Sequence, residues 1–277
     1  MGLRRVARMG PIDTHAHLSD LGDEVVARAR AAGLSGIVAV SASVPTCEGT
    51  IKLARQHPGF VHVALGIHPT EFFDQDLETV LGFIRENAPG CVAVGEIGLD
   101  FWHRLVRKDG AQKERQREFY VTQLQLAREL DLPVSIHSRG AWGDCLRLAS
   151  EHGPGRGVFH WYSGPLDVLA GVLDLGYYVS CTPALEGSPE LRAAMERAPL
   201  ERILVETDSP VWIKSQGRAS EPADVLLTLR HLADLKGLPL GDVEAATTGN
   251  AETLFKLRSA RWPGSSWGTG GGLSSAL

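Results

Sequence analysis

Six side chains of types that commonly bind metal ions lie at or just after the end of a strand-like run in this sequence. Imidazole nitrogens suit zinc, manganese and iron, and carboxylate oxygens also suit magnesium. The set spans nearly 200 residues, so one metal centre can contain it only if the fold gathers the ends of several strands. The six residues are His15, His17, Glu96, His137, His160 and Asp208.

Each of these residues has an ordinary explanation when it is taken alone. His15 and His17 are two residues apart and point to the same side of a strand, but a hydrogen-bonded pair fits this spacing too. Glu96 lies between glycines, where it could bridge two ions or form a salt bridge. Asp208 precedes Ser-Pro, a common turn sequence. Their recurrence at five strand ends favours a metal site, because packing alone does not arrange such a repetition.

The size of the donor set predicts how many ions it holds. Four histidines and two carboxylates exceed the four ligands of one tetrahedral ion. A pair of ions is common in hydrolytic enzymes, where it activates a water and stabilises the leaving oxygen. The predicted cofactors are therefore two divalent metal ions, Mg, Mn or Zn, with no organic cofactor.

The elements that would position these residues alternate regularly along the chain. Eight strands alternating with eight helices and a further helix predict a (β/α)8 TIM barrel, with its site at the C-terminal ends of the strands. An open doubly wound sheet is the rival, but no glycine-rich phosphate motif follows the first strand. Strands are predicted at 11–15, 36–41, 60–66, 91–96, 133–137, 157–160, 177–181 and 202–206. Helices are predicted at 22–33, 47–57, 76–88, 111–131, 143–153, 165–175, 188–198, 221–235 and 240–257.

Composition limits the remaining possibilities. The 277 residues, 43% of them hydrophobic, suffice for one large domain, predicted at 11–258 between an N-terminal extension (1–10) and a flexible Gly/Ser-rich tail (259–277). A net charge of −5 argues against a broadly basic nucleic-acid-binding surface but allows a local basic groove. No apolar run reaches the roughly 18 residues of a membrane span. The four cysteines form no C-x-x-C pair, so a cytoplasmic location is expected.

Several other side chains fall where they could contact a substrate at the barrel rim. Four tryptophans follow strands and could stack on nucleobases, or could simply pack the loops together: Trp102, Trp142, Trp161 and Trp212. His68 and Arg139 could contact phosphate, and Glu206 could orient a ligand or form an ion pair. The predicted substrate-binding residues are His68, Arg139, Trp102, Trp161 and Glu206. Six basic residues within 104–117 could steer phosphate or form a solvated helix face.

The chain resembles the TatD family of metal-dependent deoxyribonucleases, within the amidohydrolase-type barrels, from about Ile12 to Phe255. Many amidohydrolases have a carboxylated lysine where this chain has Glu96, and the glutamate favours the TatD-like branch. The motifs that carry the resemblance are IDTHAHL (12–18), LGIHP (65–69), VGEIGLD (94–100), QREFYVTQLQLARELDLPVSIHSR (116–139), ETDSP (206–210) and GNAETLF (249–255).

The resemblance implies a role for each metal-binding residue. His15, His17 and Asp208 should hold one ion, His137 and His160 the other, and Glu96 should bridge them. The implied activity is hydrolysis of DNA phosphodiester bonds by a metal-activated water, from an end of single-stranded DNA. Asp208 is the expected proton acceptor. Together with the bridging residue Glu96, it is a predicted catalytic residue.

Two other functions remain open at this point. The first is another amidohydrolase-type hydrolase that cleaves an amide, a lactone or a small phosphoester, because barrels host many chemistries. The second is a non-catalytic metal-dependent binding protein, which the complete ligand set disfavours. The sequence does not determine the oligomeric state, and a monomer is the default expectation.

Overall fold

Eight strands form one parallel sheet in the computed structural model, which describes residues 10–257. Each strand pairs with the next one along the chain, in the order β1 to β8, as a (β/α)8 barrel requires. The strands are β1 Ile12–Ala16, β2 Gly36–Val40, β3 Val61–Leu65, β4 Cys91–Gly98, β5 Val134–His137, β6 Gly157–Phe159, β7 Tyr178–Cys181 and β8 Ile203–Val205.

The first and last strands meet just beyond their C-terminal ends. Ala16 forms a parallel bridge with Ser209, and the backbone N–H of His17 donates to the Ser209 carbonyl at 2.8 Å. The Asp208 N–H likewise donates to the His15 carbonyl at 3.0 Å. The sheet therefore closes on itself, and the prediction of a (β/α)8 barrel is confirmed.

Helices follow the strands around the barrel and begin at recognisable capping residues. Asp76 and Ser188 accept hydrogen bonds from backbone N–H groups of the first turns of α3 and α7, as N-caps commonly do. Within residues 10–257 the helices are α1 Asp23–Ala31, α2 Val44–Gln56, α3 Leu77–Asn87, α4 Gly110–Glu129, α5 Trp142–His152, α6 Leu166–Asp174, α7 Pro189–Arg197, α8 Val225–Lys236 and α9 Leu240–Phe255.

Alternating residues of the strands divide the hydrophobic core into two layers. Ile37 and Ala39 of β2 belong to the layer between the sheet and the helices, whereas Val38 and Val40 belong to a second cluster. That cluster joins residues of opposite strands, so it fills the barrel interior, and Phe255 of α9 packs into it. The interior is thus apolar and packed, and the polar residues gather at the C-terminal strand ends.

Three features add to or lie outside the predicted elements. A short antiparallel hairpin, β9 Trp212–Ile213 with β10 Arg218–Ala219, follows β8, and α8 begins at Val225, four residues later than predicted. No helix within residues 10–257 has both the length and the apolar character that crossing a membrane requires. The predicted N-terminal extension and Gly/Ser-rich tail lie almost entirely outside the described residues.

Candidate metal centre

The structure brings all six predicted metal-binding residues to one end of the barrel. They form overlapping groups whose nitrogen and oxygen atoms lie within 4.8 Å of one another. The groups are His15 with His17 and Glu96; His15 with His160 and Asp208; and His68 with Glu96 and His137. Residues far apart in sequence meet here because each lies in, or within three residues of the end of, its strand.

Glu96 lies at the centre of the set, and its two carboxylate oxygens face different imidazoles. Its Oε2 lies 3.2 Å from Nε2 of His15 and 3.4 Å from Nε2 of His17. Its Oε1 lies 2.9 Å from Nδ1 of His137 and 2.6 Å from Nε2 of His160. One oxygen is therefore available to each of two donor groups, as a bridging carboxylate requires.

Asp208 completes the group on the Oε2 side of Glu96. Its Oδ1 lies 3.5 Å from Nε2 of both His15 and His17, and its side chain is 12% exposed. Its backbone has a φ of +49°, a left-handed conformation that is uncommon for a residue with a side chain. Such strain is frequent at functional sites, where surrounding contacts hold it. Here the contact is the hydrogen bond to the His15 carbonyl.

The donor set fits divalent cations. Ligands at about 2.1 Å from one ion lie roughly 3.0–3.4 Å from one another in octahedral or tetrahedral geometry. The separations around Glu96, 2.6 to 3.4 Å, fall close to this range. Imidazoles and carboxylates together suit Zn, Mn or Fe, and the carboxylates also accept Mg.

The ligand residues are held by neighbouring polar groups. Nδ1 of His15 lies 3.3 Å from the Ser135 hydroxyl. Nδ1 of His160 lies 3.4 Å from Oε1 of Glu206, which leaves Nε2 directed at Glu96. Partners of this kind fix the ring orientation of metal-binding histidines.

Charges within the cluster stabilise one another strongly. Burial raises the pKa of Glu96, but the neighbouring imidazoles of His160, His68 and His15 more than offset it and hold that pKa well below its usual range. Burial lowers the pKa of His17, but hydrogen bonds to Asp208 and Glu96 raise it to about 10. A bound cation would replace the imidazole protons, so protons and metal compete for this site.

Asp100 contacts two of the predicted site residues, although it was not itself among them. Its Oδ2 lies 3.2 Å from Nε2 of His137 and 2.9 Å from Nη2 of Arg139. Burial raises the pKa of Asp100, but hydrogen bonds to His137 and Arg139 lower it to about 2. The sequence could have indicated Asp100, because it ends the same VGEIGLD motif that contains Glu96. The carboxylate orients His137 and anchors Arg139, whose side chain remains 53% exposed.

His68 was predicted to contact substrate, but it also lies in direct contact with the metal-binding residues. Its Nε2 is 3.3 Å from Oε1 of Glu96 and 3.2 Å from Nδ1 of His137. Its Nδ1 lies 2.7 Å from the Thr70 hydroxyl, which fixes the ring. His68 therefore offers a further nitrogen to the group that contains His137.

A cavity of about 420 Å³ opens over the donor set. Trp102, Trp142, Trp161 and Arg139 line it, whereas Trp212 does not and lies 67% exposed on β9. Three of the four tryptophans that were predicted at the rim thus surround the site.

Glu206 and the basic segment are placed differently from the cavity residues. Glu206 is fully buried behind His160, and its Oε1 also accepts the Trp161 N–H at 2.9 Å. These contacts favour the orienting role over direct contact with substrate.

Two of the six basic residues within 104–117 pack against an aromatic ring. Lys113 and Arg117 lie 5.1 and 5.0 Å from the ring centroid of Phe101, so part of the positive charge of this segment packs over the loop after β4.

A closed parallel barrel with a buried carboxylate between imidazoles at its C-terminal end has the design of a metal-binding barrel enzyme. The sequence model of the family described as TatD related DNase matches residues 12–256, and the chain belongs to this family. The family prediction is thereby confirmed.

Individual relatives agree with this assignment. The chain is 34% identical to human "Deoxyribonuclease TATDN3" over 92% of this chain and 98% of that protein. It is 30% identical to "Uncharacterized metal-dependent hydrolase YabD" of Bacillus subtilis, over 88% of this chain and 98% of that protein. Among solved structures, the TatD homologue YJJV of Escherichia coli superposes with a TM-score of 0.79 at 28% identity, covering 88% of this chain and 97% of that one.

Proposed function

We infer that the protein is a metal-dependent hydrolase that cleaves phosphodiester bonds of DNA. The observation that carries this inference is Glu96, whose two oxygens each face a separate group of imidazoles. Two cations held on either side of one carboxylate form the arrangement that hydrolytic enzymes use for phosphate esters. The names of the relatives, a deoxyribonuclease and a metal-dependent hydrolase, support the same reading.

The contacts suggest how the ligands divide between the two ions. His15, His17 and Asp208 would hold the first ion together with Oε2 of Glu96. His137 and His160 would hold the second with Oε1, and His68 offers a further nitrogen to it. Mg, Mn and Zn all remain compatible with this set of donors.

The chain's own residues then perform the remaining tasks. Bound cations would supply an acidified water and neutralise charge on the phosphate. Asp208, which borders the cavity, is positioned to accept the proton of the attacking water. Arg139 lines the same cavity with its guanidinium half exposed, where it would contact a substrate phosphate. Asp100 and Glu206 orient His137 and His160.

The resemblance to the TatD family indicates a more specific substrate, single-stranded DNA that is cleaved from one end. The test is digestion of single-stranded oligonucleotides, labelled at either the 5′ or the 3′ end, with magnesium or manganese and with a chelator. His137→Ala should abolish cleavage, because it removes a ligand that lies 2.9 Å from Glu96. His152→Ala is the matched control, because His152 ends α5 and is not part of the metal-binding groups.

Metal-dependent shortening from one end, lost only in His137→Ala, supports the proposal and gives the polarity of the reaction. Absence of cleavage with every metal contradicts it. Small phosphoesters, lactones and amides would then be tested as substrates of the same centre.

A further inference from the structure

A second hollow continues the metal-site cavity along the protein surface. It has a volume of about 580 Å³ and shares four lining residues with the cavity over the donor set: Trp102, Trp142, Ser163 and Ser188. We call this hollow the tryptophan trough; its outer part is bordered by Pro165 and Leu166. A molecule whose phosphate lay at the metal centre could therefore extend into it without leaving the protein surface.

The two indoles form a corner at the junction of the cavity and the trough. Their ring centroids lie 5.4 Å apart, and their planes cross at 86°. Trp102 is 61% exposed and Leu166 is 48% exposed, so both offer apolar surface to a molecule in the trough. An aromatic ring that enters this corner can stack on one indole and meet the edge of the other.

The backbone around the trough is shaped to admit these indoles. A Cβ on Gly140, whose φ is +72°, would lie 2.4 Å from Cδ1 of Trp102. A Cβ on Gly164 would lie 2.6 Å from Cδ1 of Trp142. Any larger residue at either position would push an indole away, so the glycines allow both rings to lie directly against the main chain.

The charge of the trough disfavours phosphate as its occupant. Among the lining residues within 10–257, Glu190 alone is charged, and it lies in the first turn of α7. An anionic backbone would be repelled there, whereas an uncharged planar ring would not. A phosphate would instead meet Arg139, and any cations held by the donor set, at the neighbouring cavity.

We propose that the tryptophan trough is a nucleobase subsite, in which the base attached to the nucleotide at the metal centre stacks on Trp102 and meets the edge of Trp142. The proposal rests on the proposed DNA hydrolase function and adds a specificity element to it. Because the trough recognises the base by stacking, it accepts all four bases and holds the larger purines more tightly than pyrimidines.

The test compares wild type with Trp102→Ala on two short single-stranded oligonucleotides, one of deoxyadenosine and one in which every base is replaced by hydrogen. Cleavage gives KM and kcat, and fluorescence anisotropy in the presence of chelator gives Kd. Trp102 is exposed, so its replacement should leave the fold intact, as circular dichroism would verify. Trp102→Phe keeps an aromatic face, and Trp212→Ala removes an exposed tryptophan outside the cavity and the trough.

The expected result is an increase of about tenfold in KM and Kd for Trp102→Ala on the deoxyadenosine oligonucleotide. The increase should vanish on the oligonucleotide without bases, should be largely reversed in Trp102→Phe, and should be absent in Trp212→Ala. If wild type and Trp102→Ala have equal KM and Kd on the deoxyadenosine oligonucleotide, the trough is not a nucleobase subsite, even if the protein cleaves DNA. If no DNA is cleaved, the proposed function fails, and the Kd comparison alone decides whether the trough binds bases.

Discussion

Replacing Glu206 by glutamine isolates the orienting effect of a buried carboxylate on the metal centre. Glu206→Gln keeps the size of the side chain and an oxygen that can accept the Trp161 N–H, now 2.9 Å away. It removes the negative charge that lies 3.4 Å from Nδ1 of His160. The ring of His160 then loses the partner that favours a proton on Nδ1 and an electron-rich Nε2 facing Glu96.

The expected magnitude follows from the contact distance. A full charge pair at 3.4 Å would be worth about 5 kcal/mol at an effective dielectric constant of about 20. That figure is an upper limit, because a metal-bound imidazole is not a full cation. Loss of a comparable partner typically weakens metal binding 10- to 100-fold, which corresponds to about 1.4–2.7 kcal/mol. We therefore expect a 10- to 100-fold increase in the metal concentration required for half-maximal activity.

The assay is a manganese titration of hydrolysis, accompanied by calorimetric measurement of metal binding. Glu24→Gln is the control, because Glu24 lies on α1 with its side chain 93% exposed. At saturating manganese, kcat of Glu206→Gln should recover most of its wild-type value, since no metal ligand is lost. Metal affinity equal to that of wild type would refute the orienting role of Glu206.

Three further predictions concern the proton acceptor Asp208, the pH dependence of unfolding and the attraction of DNA by basic residues. Asp208→Asn should lower kcat by about 100-fold or more at saturating metal, because it removes the proposed proton acceptor; an unchanged kcat would exclude that role. Burial lowers the pKa of His62 from 6.5 to about 4, so the unfolded chain takes up a proton first as the pH falls. His62 should therefore contribute about 2 kcal/mol less to the free energy of unfolding at pH 5 than at pH 7.5, and urea unfolding of wild type and His62→Asn at both pH values measures this contribution as the difference between the two proteins. An identical pH dependence in the two proteins would contradict it. Cleavage of DNA should decrease steeply with added salt if Arg104 and its basic neighbours attract phosphate, and a flat response would rule out that steering.

The order of strands and helices was predictable because each run has its own local signal. Short β-branched segments such as 36–40 alternate with longer amphipathic ones such as 44–56, and every one of the eight strands was predicted within two residues at each end. The C-terminal ends of parallel strands converge in a barrel, so placing a histidine or carboxylate at a strand end was enough to place it at the site.

Other parts of the site depend on contacts that no local pattern encodes. His68 and Asp100 are close to the donors because of where the loops after β3 and β4 turn, and their approach to His137 spans long sequence separations. Glu206 shares a motif with Asp208, yet one is buried behind His160 and the other borders the cavity. Trp212 follows a strand as the other tryptophans do, but the hairpin of β9 and β10 carries it away from the cavity.

Whether Glu96 bridges two cations, as proposed, can be measured by anomalous diffraction from crystals soaked in manganese. We expect two anomalous peaks, one beside Oε2 near His15 and His17 and one beside Oε1 near His137 and His160. Crystals of Glu96→Gln should lose at least one of them. A single peak in the wild-type protein, or peaks that do not contact Glu96, would show that Glu96 does not bridge two cations.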